Sequence, residues 1–219
     1  MRFFKALKRN NKRAWFQPRK DVYETQVVAP MRAIVEQLAI DMRAFAPEVV
    51  VDPKRAIFRI YRDTRFAADK TPYKTHIAAS FPWRGLPRGE GAGLYFHVAP
   101  TEIWIGGGIY SPPTPTLQAL REHVAANHRR LRSIVESGGF KKMFGGLEGD
   151  QMQRVPRGFP KDHPAADYLR RRQFLAVREL PGTLATNRKF YATLVATFRA
   201  AVPLLRYLNE PLANKRSGG

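Results

Sequence analysis

The chain has 219 residues, with 38 Lys and Arg against 18 Asp and Glu, a net charge of +20, and no cysteine. The missing thiols exclude disulfides, thiolate catalysis and zinc–thiolate centres. Hydrophobic residues at 44% and aromatics at 11% supply a packed core and exclude wholesale disorder.

This length fits one domain, expected over residues 1–213, with a disordered tail at 214–219. No apolar run approaches the ~20 residues that span a bilayer, and a cytoplasmic protein is expected. An excess of positive charge attracts polyanions without specificity. An arginine-rich proteome accounts for the same excess with no partner at all, so both readings stand.

Met1 to Lys20 holds eight basic residues and no acidic one, which is the composition of a transit peptide. A folded reading competes with it and is preferred. Phe3, Phe4 and Leu7 share one helical stripe, and Trp15 and Phe16 follow Asn10-Asn11. From Tyr23, apolar residues recur at Val27, Met31, Ile34, Leu38, Met42 and Phe45, the spacing of a core-facing helix. Pro30 lies inside this run and predicts a break or kink.

The middle reads as strands at Ala56–Arg62, His76–Phe81, Leu94–Val98 and Glu102–Ile105, separated by Pro and Gly. The short Ala99-Pro100-Thr101 gap suits an antiparallel meander. Thr114-Pro115 reads as a helix start, Leu117 to Ile134 as its stripe, and Gly138-Gly139 as its end. A short helix at Ala165–Arg172, a strand at Gln173–Leu180 and a C-terminal helix from Tyr191 to Leu208, kinked at Pro203, complete the reading. The fold class expected is α+β: a central, mainly antiparallel sheet flanked by N- and C-terminal helices.

Several motifs carry a resemblance. Asn10-Asn11-Lys12-Arg13-Ala14-Trp15-Phe16, Arg62-Asp63-Thr64-Arg65-Phe66 and Asp69-Lys70-Thr71-Pro72-Tyr73-Lys74 resemble a widespread family of bacterial and fungal conserved hypothetical proteins, the domain of unknown function 2461. Gly93, Tyr95 and His97, the Gly106-Gly107-Gly108 run, Pro156-Arg157-Gly158-Phe159 and Asp162-His163-Pro164 add to it. The resemblance implies one domain of this family's type and brings no activity with it.

The residues themselves point to an anion site. Arg62, Arg65, Lys70 and Lys74 fall within thirteen residues, interleaved with Asp63, Asp69, Thr64, Thr71 and Tyr73. Guanidiniums in a polar turn grip phosphate or carboxylate bidentately. The alternative is a salt-bridge network that pins the loop, and the two are compatible. Tyr95 and His97 share one strand face, and the following turn is expected to set Trp104 opposite His97. That imidazole is a candidate acid or base, with Asp63 a second proton carrier; a hydrogen-bonded structural histidine is the plainer reading. A metal site needs His76, His97, His163, Asp63 and Asp69 to converge, which no spacing predicts, so neither a metal nor a cofactor is expected. The glycine run lacks phosphate-loop spacing and reads as a bulge or a close backbone approach.

The leading expectation is thus a basic pocket for an anionic, phosphorylated small molecule, with binding or catalysis as its role. Arg62, Arg65, Lys70 and Lys74 grip the anion, Asp63 and Asp69 orient them, and Tyr73, Tyr95, His97 and Trp104 line the pocket. A non-enzymatic nucleic-acid-binding protein is the alternative, and a scaffold without a ligand a third. Trp15 and Phe16 among Lys12, Arg13, Arg19 and Lys20, and Phe140 and Phe144 around Lys141-Lys142, suit base stacking or, more plainly, core anchoring beside a basic surface. Weak, non-specific nucleic-acid binding at low salt follows from charge alone.

Overall fold

The apolar alternation of residues 94–105 places one side chain in two on each face of a sheet. In the computed structural model, which describes residues 1–214, the strands are β1 (Ile77–Phe81), β2 (Gly93–Val98), β3 (Glu102–Ile109) and β4 (Phe174–Pro181). They form one antiparallel sheet in the order β1-β2-β3-β4. With its flanking helices the fold is α+β. Residues 215–219 of the expected tail lie outside the described residues, and Asn214 closes the last helix.

Leu94, Phe96, Val98, Ile103, Ile105 and Ile109 are buried on the face that meets α8 (Phe190–Asn214). Pro203 and Pro211 both lie within α8. α5 (Thr114–Val135) packs on α8, and α6 (Gly138–Phe144) packs against α8 and β4. Asn209 of α8 is buried and bonds both backbone groups of Ala92, accepting from its N–H at 2.8 Å and donating to its carbonyl at 2.9 Å. It thereby completes the pairing of the chain just before β2.

The N-terminal residues fold as α1 (Arg2–Arg9), α2 (Arg13–Phe16), α3 (Lys20–Tyr23) and α4 (Ala29–Asp41). The Pro30 break takes the form of a π-helical turn at Glu24–Val28, in which Ala29 N–H donates to the Glu24 carbonyl. Proline lacks the N–H that continues the α pattern, and the wider turn absorbs the mismatch. Phe3, Phe16 and Tyr23 pack together, and Phe16 stacks on Tyr73 at 4.3 Å.

Several boundaries differ from expectation: β3 runs on to Ile109 and the last helix to Asn214. Ala56–Arg62 is not a regular strand; it makes only the isolated bridges Ile57↔Ala79 and Tyr61↔Tyr73. The pairing slips by two residues between those bridges, which breaks the ladder. Gly138-Gly139 opens α6 rather than closing α5, because the Ser137 hydroxyl caps the new helix by accepting from Phe140 N–H. The helix expected at Ala165–Arg172 shrinks to α7 (Ala166–Leu169).

Buried side chains from Phe3 to Leu208 form one contiguous cluster. Limited proteolysis is therefore expected to yield no pair of stable halves; two resistant fragments of comparable size would contradict a shared core.

Candidate functional site

The second face of the sheet carries Tyr95, His97, Trp104 and Val177, and it floors a cavity of about 620 Å³. Gly93, Gly106 and Gly108 contribute only backbone to this floor. A Cβ on Gly106 or Gly108 would stand 2.0 Å from a carbonyl oxygen of β4. The glycine run is thus a close backbone approach, and it leaves the middle of the floor bare between a wall of rings and Tyr110.

The ring wall is continuous. His97 stacks on Trp104 at 5.3 Å and lies 5.0 Å from His76. Tyr95 Oη and His97 Nδ1 are 3.1 Å apart. Burial holds His97 down at about 4, with the neighbouring His76 adding to the effect, so the ring is neutral at neutral pH. Burial lowers His76 too, helped by Lys74, and raises the Tyr95 phenol to about 12. In either tautomer the Tyr95–His97 pair has one proton left over: Nε2–H when the phenol donates, Oη–H when Nδ1–H donates. The pair can therefore donate a hydrogen bond, or pass a proton, without carrying a fixed charge.

Positive charge enters at Phe58. The Arg88 guanidinium sits 4.9 Å from that ring and the Lys74 ammonium 5.4 Å. Arg88 donates to the Arg55 and Ser80 carbonyls, and Lys74 to the Arg59 carbonyl. Neither forms an ion pair among the described residues. Burial, with Arg59 nearby, lowers the Lys74 pKa.

The structure brings Tyr95, His97 and Trp104 together and sets Lys74 beside them through Phe58. The remaining predicted residues do not line this cavity. Arg62 pairs with Asp69 and also donates to the Thr71 hydroxyl. Arg65 forks onto Asp63 at 3.0 and 2.7 Å. Lys70 donates to the Thr64 carbonyl at 3.0 Å. The Thr71 amide, Arg62 and the Thr71 hydroxyl hold Asp69 down at about 2, and the Arg65 side chain and amide lower Asp63. Tyr73 is buried against Phe16, and Asn11 grips its backbone, donating to the carbonyl at 2.9 Å and accepting from the N–H at 3.1 Å. The charged loop is thus cross-braced on itself and tied to the N-terminal helices. Phe16, Phe140 and Phe144 are buried, so these rings anchor the core and offer no stacking face. Among the described residues no group of three or more His, Asp or Glu is placed to hold a metal ion.

Sequence reasoning missed Arg88, Phe58 and the clamp made by Asn11. The Asn11 pairing had one trace, the co-occurrence of the two signature motifs. Arg88 sits in a Gly-Pro-rich loop with no periodicity, and nothing in the sequence marked it.

The fold and its open sheet face define an α+β protein with a pocket built on a glycine-floored meander. The chain belongs to the family of conserved hypothetical proteins DUF2461, whose model matches residues 1–207. No curated protein and no solved structure matches it. No helix among the described residues is long and apolar enough to cross a membrane.

Proposed function

We propose that the sheet pocket binds a small organic anion with a flat apolar body, carboxylate or phosphate being the charged group. The observation that carries the reading is the pairing of a bare, ring-walled floor with an Arg88 guanidinium that has no carboxylate partner among the described residues. A flat ring lies against backbone where glycines present no side chain, edge-on to His97 and Trp104. Arg88, with Lys74 behind it, meets the anionic group. The Tyr95–His97 pair supplies a neutral donor to a ligand carbonyl or hydroxyl, and it is the first place to look for acid–base chemistry if the ligand is turned over. In this reading Arg62, Arg65, Asp63, Asp69 and Lys70 brace the wall instead of gripping the ligand, which their mutual pairing supports.

The test uses aryl carboxylates and aryl phosphates of matched size, titrated while Trp104 fluorescence is followed. Trp104→Phe identifies the responding indole. Arg88→Gln is expected to weaken binding about tenfold or more, the scale of one charged hydrogen bond. Arg65→Lys is expected to leave it within about twofold, since exposed pairs are worth little. Equal affinity in Arg88→Gln and the parent protein would remove the anion from the proposal. A comparison of the two probe series decides between carboxylate and phosphate.

A further inference from the structure

The broken ladder at residues 56–62 leaves a second feature that the sheet pocket does not use. Phe58 N–H donates to the Ala78 carbonyl and Ser80 N–H to the Ala56 carbonyl; further along, Lys74 N–H donates to Ile60 and Arg62 N–H to Pro72. These bonds flank Ile57 and Tyr61, which are the bridge residues themselves. In antiparallel pairing, a bridge residue flanked in this way turns its own N–H and C=O away from its partner strand. Among the described residues, the N–H groups of Ile57, Arg59 and Tyr61 and the carbonyls of Ile57 and Tyr61 have no hydrogen-bond partner. They recur every second residue, as the free edge of a strand does.

That edge faces a groove of about 800 Å³ whose opposite wall is the π-helical turn and α4, through Glu24, Val28, Arg32 and Glu36. Residues 52–54 also line it. Exposed edges are normally blunted or covered, because they recruit foreign strands. Here the edge lies along a trough beside a helix, an arrangement open to strand addition. The lining holds three acidic and three basic residues, although the chain as a whole has 38 basic and 18 acidic residues. Glu24, Arg32, Glu36 and Arg59 form no ion pair among the described residues. A charge-balanced lining in which only Asp52 is ion-paired, to Arg55 at 3.7 Å, suits a partner carrying both signs and disfavours a nucleic-acid backbone.

We infer that this groove docks an extended peptide segment of mixed charge, which adds to the outer edge of residues 57–61 as a further strand. Five residues of edge span about 13 Å, so four or five peptide residues make the contact. Main-chain bonds to Ile57, Arg59 and Tyr61 supply the register. The side chains of α4 and the π-helical turn select the sequence.

The experiment starts from a displayed library of random heptapeptides, selected on the full-length chain. The best binder is synthesised and studied by amide hydrogen exchange. The amides of Ile57, Arg59 and Tyr61 are expected to exchange quickly in the free protein and to become protected in the complex. N-methylation of the peptide at alternate residues should weaken binding about tenfold or more on one parity only. Arg59→Pro, which removes one outward N–H and leaves the carbonyl that Lys74 needs, should weaken it similarly. A charge reversal, Glu36→Lys, should shift the selected sequence toward acidic residues. Selected peptides that leave those three amides unprotected, or that tolerate N-methylation on both parities, overturn the inference. So does a library that yields no binder above background.

Discussion

Gly106→Ala and Gly108→Ala are each expected to cost at least about 3 kcal/mol of stability, far more than their change in size suggests. At both positions an added Cβ stands 2.0 Å from a β4 carbonyl oxygen, on Ala176 for Gly106 and on Phe174 for Gly108. Those oxygens belong to the backbone of a paired strand, so no rotamer change relieves the collision. Gly108 carries a second penalty: its φ of +142° is a conformation that residues with a Cβ rarely adopt. Gly107 sits between them and supplies the control. Its added Cβ meets Leu205 Cδ1 at 2.8 Å and Leu94 Cδ2 at 2.9 Å, the ends of flexible side chains, with the Gly93 carbonyl at 3.1 Å. Gly107→Ala is expected to cost about 1 kcal/mol, the low end of overpacking. Gly138 has open space around it and lies in the first turn of α6. Gly138→Ala is therefore expected to be neutral or stabilising by up to about 1 kcal/mol. Urea midpoints for the four variants decide the order. If Gly106→Ala behaves like Gly107→Ala, the strands are not in the close approach described, and the bare floor of the pocket goes with it.

The legibility of this fold followed the range of the interactions involved. The two-residue period of β2 set Leu94, Phe96 and Val98 on one face and Tyr95 and His97 on the other, and the short turn then put Trp104 opposite His97. Helical stripes were legible for the same reason: Val27, Met31, Leu38 and Met42 are all buried. Contacts that reach across the chain left no periodic trace. Asn209 bonding Ala92 and Asn11 bonding Tyr73 connect residues 117 and 62 apart. The charged loop was legible as a cluster but not in its role. Asp63 accepts from the Arg65 amide and Asp69 from the Thr71 amide, local turns that place each carboxylate beside a cation. Such short-range pairing satisfies the same residues that an anion site needs, and composition alone does not separate the two. The ligand-facing cation of the proposed site, Arg88, comes instead from an irregular loop whose path depends on Phe58 packing beneath it.

Stability is expected to fall as the pH drops from about 6.5 to about 4, with His97 the main cause. The ring has an ordinary value of 6.5 and is held at about 4 in the fold by burial, with His76 second. Below pH 6.5 the unfolded chain takes up a proton that the folded chain declines, so acidification favours unfolding until the folded ring titrates as well. The gap between the two values corresponds to about 3 kcal/mol as an upper figure. His76 and His123 are lowered too, both chiefly by burial, and they add to the loss with the same sign. The carboxylates act in a different window. Asp69, Asp63, Glu48 and Glu210 are all lowered by hydrogen bonds to arginine side chains or backbone amides. Their contribution is fully present above the ordinary carboxylate range and is lost from that range downward, until the folded values are passed. Urea unfolding at intervals from pH 7.5 to pH 5.5 therefore isolates the histidines. In His97→Gln the slope between pH 6.5 and pH 5.5 is expected to flatten to the residue left by His76 and His123, whatever the variant loses in absolute stability from the missing Tyr95 contact. An unchanged slope would mean that His97 takes up its proton in the fold as readily as in water. Below about pH 6.5 the wall beside Trp104 would then present an imidazolium, and there the pocket would hold its anion through that charge as well as through Arg88.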